Sequence, residues 1–334
     1  MIKRILSITT GIVLLLFLIS CSNDQPRYKK VELSSAEQVE VDLKRYEQAL
    51  FSIPADSLAD TIAELQEEYT LFLGSEEITQ QQLLRLQDYL TDPLIIELYE
   101  KSEAVYPDNQ WLSNRLDRLF SYFGHHLPGE EIPGVYTYIS GIEYQHPVNY
   151  SGDALIIALD MYLGRDFKPY QKAGLPAYKR SKLEKEYLPA DIALEIASVL
   201  QPTSVAKGKL LDQMIYHGKQ YYFVDALVPN AHDTVKIKYS PSQLRWIRNN
   251  EKQLWAFIIE NELLFSGQHS KYKNLLSEGP FTADFGKESP PRIGHWIGWQ
   301  IVREFMGKNP EISLKQLIAI EDSQKILEKS GYKP

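Results

Sequence analysis

The chain of 334 residues has a single cysteine, Cys21, and this limits how the protein can be stabilised. One thiol cannot form an intramolecular disulfide or a cysteine-rich metal site. The roughly 310 residues that follow must therefore fold around a hydrophobic core alone, and a chain of that length can bury a core of sufficient size. If the thiol is used for anchoring, thiol catalysis is excluded as well.

The sequence before Cys21 has the order of a secretory signal peptide. Lys3 and Arg4 are followed by an apolar run over residues 11–19, which corresponds to a basic n-region and an apolar h-region. A membrane-spanning helix needs about 20 apolar residues, and this run is shorter. The alternative is an uncleaved anchor helix in which the cysteine is incidental.

Leu18, Ile19, Ser20 and Cys21 resemble the lipobox of bacterial lipoproteins. That resemblance implies cleavage before Cys21 and acylation of both its thiol and its new amino group. Two or more acyl chains hold a protein stably at a bilayer. We therefore predict a signal peptide over residues 1–20, a lipid-anchored tether over 21–33 and a single domain over 34–334. Fully extended, the polar tether would reach about 40 Å.

The charge of the chain argues against two classes of partner. Cleavage would remove Lys3 and Arg4 and change the formal net charge from −8 to −10. A body this acidic is not attracted by charge to nucleic acid or to an anionic lipid surface. The predicted membrane contact is therefore the N-terminal lipid, and no nucleic-acid partner is expected.

The apolar pattern predicts an α+β fold that is mostly helical, with a small central β-sheet and flanking helices. Residues 34–125 form a helical N-terminal part, in which Ser34 with Glu37 and Thr79 with Gln82 have capping-box spacing. The β-rich runs "GVYTYIS" (134–140) and "ALIIALD" (154–160) predict two strands, and the turn-rich stretch between them suits a hairpin connection. Further helices are predicted over the ranges 189–200, 207–227, 240–264, 292–306 and 313–329.

The sequence offers few candidates for chemistry. No two of the seven histidines lie three or four residues apart, as a zinc-binding helix would require. His125 and His126 are expected to form a cationic or hydrated helix C-terminus. No P-loop, dinucleotide-binding or nucleophile-elbow motif is present, so no cofactor is predicted.

Aromatic residues are the other candidate for binding. Trp246, Trp255, Trp296 and Trp299 could form a glycan-binding or protein-binding surface. The spacing of Gly294 and Gly298 indicates instead a buried helix approached closely by another backbone, and this interpretation is the favoured one.

Several segments together resemble the gliding-motility lipoprotein family GldB of Bacteroidetes. They are "YTYISGIEYQHPVNYSGDALIIALDMYLGRDFKPY", "LLDQMIYHGKQYYFVDALVP", "SPSQLRWIRNNEKQLWAFIIENELLF", "PPRIGHWIGWQIVREFMGKNP" and the terminal "KSGYKP". Together with the lipobox, they run through most of the chain in the order that the family has. None of them is a catalytic signature.

That family is itself similar to HExxH zinc peptidases, which implies that residues 126–334 form a degenerate zincin-like (gluzincin-type) scaffold. The helix after the second strand, "LPADIALEIASVL", has no histidine. His217 and Gly218 occupy the place of the third-ligand motif. The resemblance therefore implies that the metal, and the water that it would activate, have been lost.

Three hypotheses for function follow. The first is a non-catalytic envelope lipoprotein that takes part in gliding motility by contact with other envelope proteins of the gliding machinery. The second is a metal-dependent peptidase or cell-wall hydrolase with atypical ligands such as His217, and the third is a glycan- or peptidoglycan-binding lipoprotein. Ser22 after the cysteine and the lack of an acidic cluster in the tether favour an outer-membrane position that faces the periplasm.

Overall fold

A computed structural model describes residues 31–54, 57–202 and 208–334. Within them the chain is α+β and mostly helical, with a small mixed sheet, and this confirms the predicted fold class. No helix of these residues is long and apolar enough to cross a membrane. The lipobox residues Leu18 to Cys21 lie outside the described residues, so the signal peptide and lipid anchor stay predictions.

Helices account for most of the described structure. In chain order they are α1 (Tyr46–Phe51), α2 (Leu58–Glu68), α3 (Thr70–Leu73), α4 (Gln80–Thr91), α5 (Pro93–Val105), α6 (Gln110–His126), α7 (Lys168–Lys172), α8 (Ala177–Arg180), α9 (Leu188–Leu200), α10 (Leu210–Leu227), α11 (Asp233–Ile237), α12 (Pro241–Glu260), α13 (His269–Leu276), α14 (Ile293–Lys308), α15 (Leu314–Ala319) and α16 (Ser323–Ser330).

Several predicted helix starts are confirmed by their capping contacts. The Thr79 hydroxyl accepts from the backbone of Gln82, and the Ser240 hydroxyl accepts from the backbone of Gln243 at the start of α12. Ser34 and Glu37 are also hydrogen-bonded to each other, but they introduce only a three-residue 3-10 helix. A capping signal therefore located the helix starts better than it predicted helix lengths.

The predicted helix over residues 313–329 is wrong in one respect, because two helices occupy this range. The Lys219 ammonium donates to the carbonyls of Ile318 and Ile320 and so satisfies the end of α15. Asp322 then accepts from the backbone of Lys325 and begins α16. The chain can break at this point because both helix ends find hydrogen-bond partners.

In the part of the chain that the structure describes, the sheet contains four strands in the order β1 (Leu43–Arg45), β2 (Gly134–Tyr138), β4 (Ala154–Ala158) and β3 (Val148–Tyr150). Strands β1 and β2 are parallel, as are β2 and β4, whereas β3 is antiparallel to β4. The two predicted strands are confirmed as β2 and β4. Strand β1 interrupts the segment that was predicted to be helical.

The predicted hairpin between β2 and β4 is wrong. Parallel neighbours cannot be joined by a tight turn, so the segment between them must cross over. It does so through β3, which forms a hairpin with β4 instead; Val148 pairs with Ile157 and Tyr150 with Leu155. The turn residues that suggested a β2–β4 hairpin lie before β3 and between β3 and β4.

Helices α10 and α14 pack closely at the centre of the main hydrophobic core. A Cβ atom placed on Gly298 would lie 1.8 Å from the carbonyl oxygen of Met214, and one on Gly218 would lie 2.3 Å from the carbonyl oxygen of Gly298. Trp296 and Trp299 are buried at this contact. The interpretation of residues 294–298 as a buried, closely approached helix segment is therefore confirmed.

A second, smaller hydrophobic cluster lies among the N-terminal helices. It consists of Tyr46, Leu50, Leu58, Ile62, Tyr69, Leu73 and Leu90. Tyr136 and Tyr138 of β2 pack against it, while Val135 on the opposite face of the same strand belongs to the main core. Strand β2 thus contributes to both clusters, and Phe51, Tyr89 and Tyr138 pack against both of them. The prediction of a single domain over residues 34–334 stays a prediction.

Candidate ligand-binding cleft

A cleft opens between the loop before β3, helices α9 and α10, and the residues around position 292. One of its two overlapping chambers has a volume of about 600 Å³ and the other about 460 Å³. Of the residues that the structure describes, nine line both chambers: Gln145, His146, Pro147, Asp191, Leu194, Tyr221, Lys238, Glu278 and Arg292. The size is typical of sites for small ligands or peptide side chains.

Arg292 is held at the floor of the cleft by its backbone and by three side-chain contacts. It precedes α14 and adopts the left-handed conformation, with φ of 56°. Its guanidinium donates to the Tyr221 hydroxyl at 2.8 Å and to the carbonyl of Ile237 at 2.7 Å. Its Nε atom lies 3.1 Å from a carboxylate oxygen of Glu278. The guanidinium is therefore fixed in one orientation.

Glu278 lies between two cations. One carboxylate oxygen contacts the Lys182 ammonium and the other faces Arg292. Partial burial acts to raise the pKa of Glu278, but Arg292 and Lys182 together hold that pKa below its usual value. The carboxylate is therefore ionised at neutral pH.

Lys238 and Asp191 form a second ion pair in the cleft. The Lys238 ammonium lies 2.5 Å from one oxygen of Asp191 and donates to the other at 2.6 Å. The Tyr162 hydroxyl also donates to Asp191, at 2.8 Å. Both Asp191 oxygens are thus engaged within the protein.

The cations of the cleft outnumber its nearby carboxylates. Among the described residues that line the larger chamber, Lys179, Lys182, Lys238 and Arg292 face the carboxylates Asp191 and Glu278, and Lys236 is paired with the buried Asp225. The smaller chamber adds one carboxylate, Glu195, so positive charge remains in excess. Burial lowers the pKa of Lys182 to about 8, and Arg292 adds to this effect. The cleft is therefore a locally cationic site on an acidic protein, and it favours an anionic ligand.

His217 and Gly218, which the peptidase resemblance singled out, lie on α10 but have different surroundings. His217 lines the smaller chamber, where its ring stacks on that of His295 at 3.7 Å and its Nδ1 donates to Gln220 at 3.0 Å. Burial lowers the pKa of His217 to about 4, with a smaller effect from Arg292. Gly218 instead faces the backbone of α14, so its role is packing.

The residues at the place of a peptidase metal site do not gather into a ligand set. Asp191 and Glu195 of α9 and His217 of α10 line the same chamber. Nevertheless, within residues 31–54, 57–202 and 208–334 no group of three or more His, Cys, Asp or Glu is placed to hold a metal ion. The zincin-like character of the scaffold stays a prediction.

Of the four tryptophans that were considered for glycan binding, none lines either chamber of the cleft. The Trp296 indole donates to Glu251 at 3.0 Å and the Trp299 indole donates to Asp225 at 2.8 Å. Trp246 and Trp255 are half-buried and pack against the main core. A glycan surface built from these four side chains therefore lacks structural support.

The paired histidines end α6 as expected, but they differ from each other. His125 contacts a carboxylate oxygen of Glu37 at 2.5 Å. Burial lowers the pKa of His126 to about 4, and the neighbouring His125 contributes to this. His126 is therefore neutral at pH 7 and not cationic.

Sequence reasoning missed the charged residues of the cleft. Lys182, Asp191, Lys238, Glu278 and Arg292 are spread over more than a hundred positions, and no local spacing connects them. One signal was available, because Arg292 follows two prolines and precedes an apolar helix. Each proline fixes its own φ, so the backbone that leads into Arg292 has little freedom.

The profile of the gliding motility protein GldB family matches residues 27–334, nearly the whole chain. The chain belongs to the gliding motility protein GldB family. No curated protein and no solved structure matches it. The family resemblance drawn from the motifs is therefore confirmed, and the family implies a gliding-motility lipoprotein associated with the envelope.

Proposed function

We propose that this protein is a non-catalytic lipoprotein of the cell envelope that takes part in gliding motility by binding other envelope proteins. The observation that carries the proposal is the match of the GldB family to residues 27–334. The match begins just after the lipobox and extends through both hydrophobic clusters. The whole folded body, and not an isolated motif, is therefore what family members share.

Contacts within the cleft support a non-catalytic role. Asp191 has both oxygens engaged by Lys238 and Tyr162. A carboxylate that is paired with an ammonium in a partly buried site must lose that partner before it can bind a metal ion. His217 is stacked on His295 and hydrogen-bonded to Gln220. These groups are arranged to stabilise the cleft walls.

We further propose that Cys21 carries the lipid anchor and that the body faces the periplasm from the outer membrane. The lipobox and the polar tether support the anchor. With a net charge near −10 after cleavage, the body is repelled by anionic lipid. Its attachment would then depend on the lipid alone.

A Cys21→Ala variant tests the anchor. We expect the variant to lose fatty-acid labelling and membrane retention and to keep its circular dichroism spectrum, because Cys21 precedes the folded body. A Ser22→Ala variant is the control and should be labelled like the wild type. Retention of the Cys21→Ala protein in membranes after an alkaline wash would instead support an uncleaved anchor helix.

Deletion of the gene, followed by complementation, tests the motility role. We expect deletion to abolish gliding and the wild-type chain to restore it. Complementation by a His217→Ala variant should succeed as well, because the proposal assigns no catalysis to that residue. Gliding that continues unchanged in the deletion strain would contradict the proposal.

A metal-dependent hydrolase is the second candidate, and one observation favours it: Asp191, Glu195 and His217 line the same chamber. Metal analysis of protein purified without chelators separates the two candidates. Stoichiometric zinc, together with peptide cleavage that His217→Ala abolishes, would establish the hydrolase and overturn the non-catalytic role.

A further inference from the structure

The cleft holds one carboxylate that lies between two cations but is still accessible to solvent. The side chain of Glu278 is 44% exposed, whereas those of Lys182 and Arg292 are 16% and 12% exposed. The two cations form the floor, and the carboxylate covers them from the solvent side. Glu278 is therefore the member of this cluster whose side chain can turn into the solvent.

The position of Glu278 in the chain makes such a movement simple. It follows α13 in the loop that leads to a short 3-10 helix at residues 283–285. The neighbouring Ser277 is held by a backbone hydrogen bond to Lys273, and Pro280 accepts from the Gln243 side chain. Because the backbone is held on both sides, rotation of the Glu278 side chain alone would expose the cations.

Removal of Glu278 would leave two mostly buried positive charges facing each other. Lys238 is already neutralised by Asp191, so Lys182 and Arg292 would have no carboxylate between them. Burial of a charge without a partner is costly, so a replacement anion is favoured. An arginine and a lysine at this spacing already position the two oxygens of one carboxylate.

The walls of the same chamber are largely apolar and aromatic. They include Tyr144, Tyr162, Leu175, Leu183 and Leu194, and the Lys179 ammonium lies at the rim, over the Tyr144 ring at 4.3 Å. Such walls suit a ligand in which an aliphatic or aromatic side chain lies next to the acidic group. The volume of about 600 Å³ accommodates a few side chains and not a folded domain.

We propose that this cleft binds a carboxylate of an acidic peptide segment, and that Glu278 occupies the carboxylate position until the ligand replaces it. The present occupant carries one negative charge, so a peptide carboxylate replaces it one for one. A phosphomonoester would bring about two negative charges. The cellular meaning of this binding rests on the proposed function. The proposed function names a partner protein, and the cleft indicates the chemistry of the segment that this partner would present.

Calorimetric titration of the full chain in detergent tests the proposal. The probe is a hexapeptide of alternating leucine and glutamate with blocked ends, and its matched control has glutamine at every glutamate. We expect the glutamate peptide to bind at least about tenfold more tightly, because charge-assisted hydrogen bonds are lost in the control. Equal binding of the two peptides would overturn the proposal.

Two variants should change the affinity for the glutamate peptide in opposite directions. Lys182→Gln should weaken binding about tenfold, since it removes one charged donor. Lys182→Arg keeps a charged donor at this position and should bind the peptide about as tightly as the wild type. Glu278→Gln should tighten binding several-fold because the internal competitor is gone. A purely structural role for Glu278 predicts weaker or unchanged binding in that variant, and this result would contradict the proposal. Lys315→Gln, which alters an exposed ion pair with Glu130, is the control and should bind like the wild type.

Competition with inorganic phosphate tests whether the cleft prefers a phosphate group to a carboxylate. If millimolar phosphate displaces the peptide completely and itself binds more tightly, the site is a phosphate site and the peptide assignment is wrong. The binding assay is independent of gliding. Normal gliding of the deletion strain would refute the proposed function alone, whereas failure of peptide binding would refute only this inference.

Discussion

At the scale of single residues, one buried carboxylate organises the centre of the main core. Asp225 is fully buried and accepts from Arg303 through both oxygens, at 2.6 and 2.7 Å. It also accepts from the Lys236 ammonium and from the Trp299 indole. All of these donors are buried, so the carboxylate neutralises charges that water cannot reach.

An Asp225→Asn variant should lose about 3–5 kcal/mol of unfolding free energy, because it leaves the buried Lys236 without its carboxylate and leaves Arg303 with Asp233 alone. Urea denaturation monitored by circular dichroism measures this loss. Glu130→Gln is the control, since it breaks only the exposed pair with Lys315 and should cost less than about 1 kcal/mol. Similar losses in the two variants would mean that burial does not determine the strength of the Asp225 cluster.

His126 should make the protein less stable in acid. Its pKa is about 4 in the folded chain against an ordinary value of 6.5, because burial and His125 disfavour its charged form. Between these values the unfolded chain binds the proton first. The stability that comes from neutral His126 is therefore fully present above pH 6.5 and is lost as the pH falls towards 4.

When the pH falls from 7 to 5, the unfolding free energy of a His126→Gln variant should therefore decrease by about 1 kcal/mol less than that of the wild type. Urea midpoints at the two pH values measure this difference. His146, which is exposed, provides the control: a His146→Gln variant should follow the wild type. Equal acid sensitivity of the His126→Gln and wild-type proteins would contradict the lowered pKa.

At the scale of secondary-structure elements, the contact between α10 and α14 depends on glycine. The Cβ positions of Gly218 and Gly298 are occupied by backbone atoms of the opposite helix. Backbone atoms cannot rotate away as a side chain can, so a methyl group at either position must push the helices apart. The sequence predicted this contact through the spacing of Gly294 and Gly298.

Gly298→Ala should therefore destabilise the protein by about 3 kcal/mol, at the upper end of typical overpacking costs. Gly307→Ala on the same helix is a matched control because nothing lies within 4 Å of its added Cβ. That change should be neutral or should stabilise by up to about 1 kcal/mol through helix propensity. Thermal unfolding of both variants compares them, and an equal effect would argue against close packing at Gly298.

Elements with local signals were predictable and those without such signals were not. The helix starts at Thr79 and Ser240 and the apolar face of α6 follow from spacing within one or two turns. Strand β1 has three residues and α8 has four, which is too short for a period to be recognised. The parallel pairing of β2 with β4 depends on distant chain segments, as does the cleft, whose charges meet only after folding.

At the scale of the whole molecule, the described apolar residues form a large and a small cluster, which meet at Phe51, Tyr89 and Tyr138. Among the described residues, the small cluster contains seven that are buried and draws on α1 to α4, whereas the main core includes α10 and α14. Local opening is easiest where few apolar contacts are broken. Helices α2 to α4 are thus expected to open more easily than the centre of the molecule.

Native-state hydrogen exchange with mass spectrometry should detect this difference. Amides of α2 and α4 should exchange with a lower opening free energy than those of α10 and α14. Leu58 is fully buried in the small cluster, and Leu58→Ala should cost about 2–5 kcal/mol there. That loss should appear in α2 and α4 and leave the protection of α10 and α14 unchanged. Equal loss in all four helices would mean that the two clusters unfold together. A single domain over residues 34–334 that unfolds in one cooperative step predicts that result.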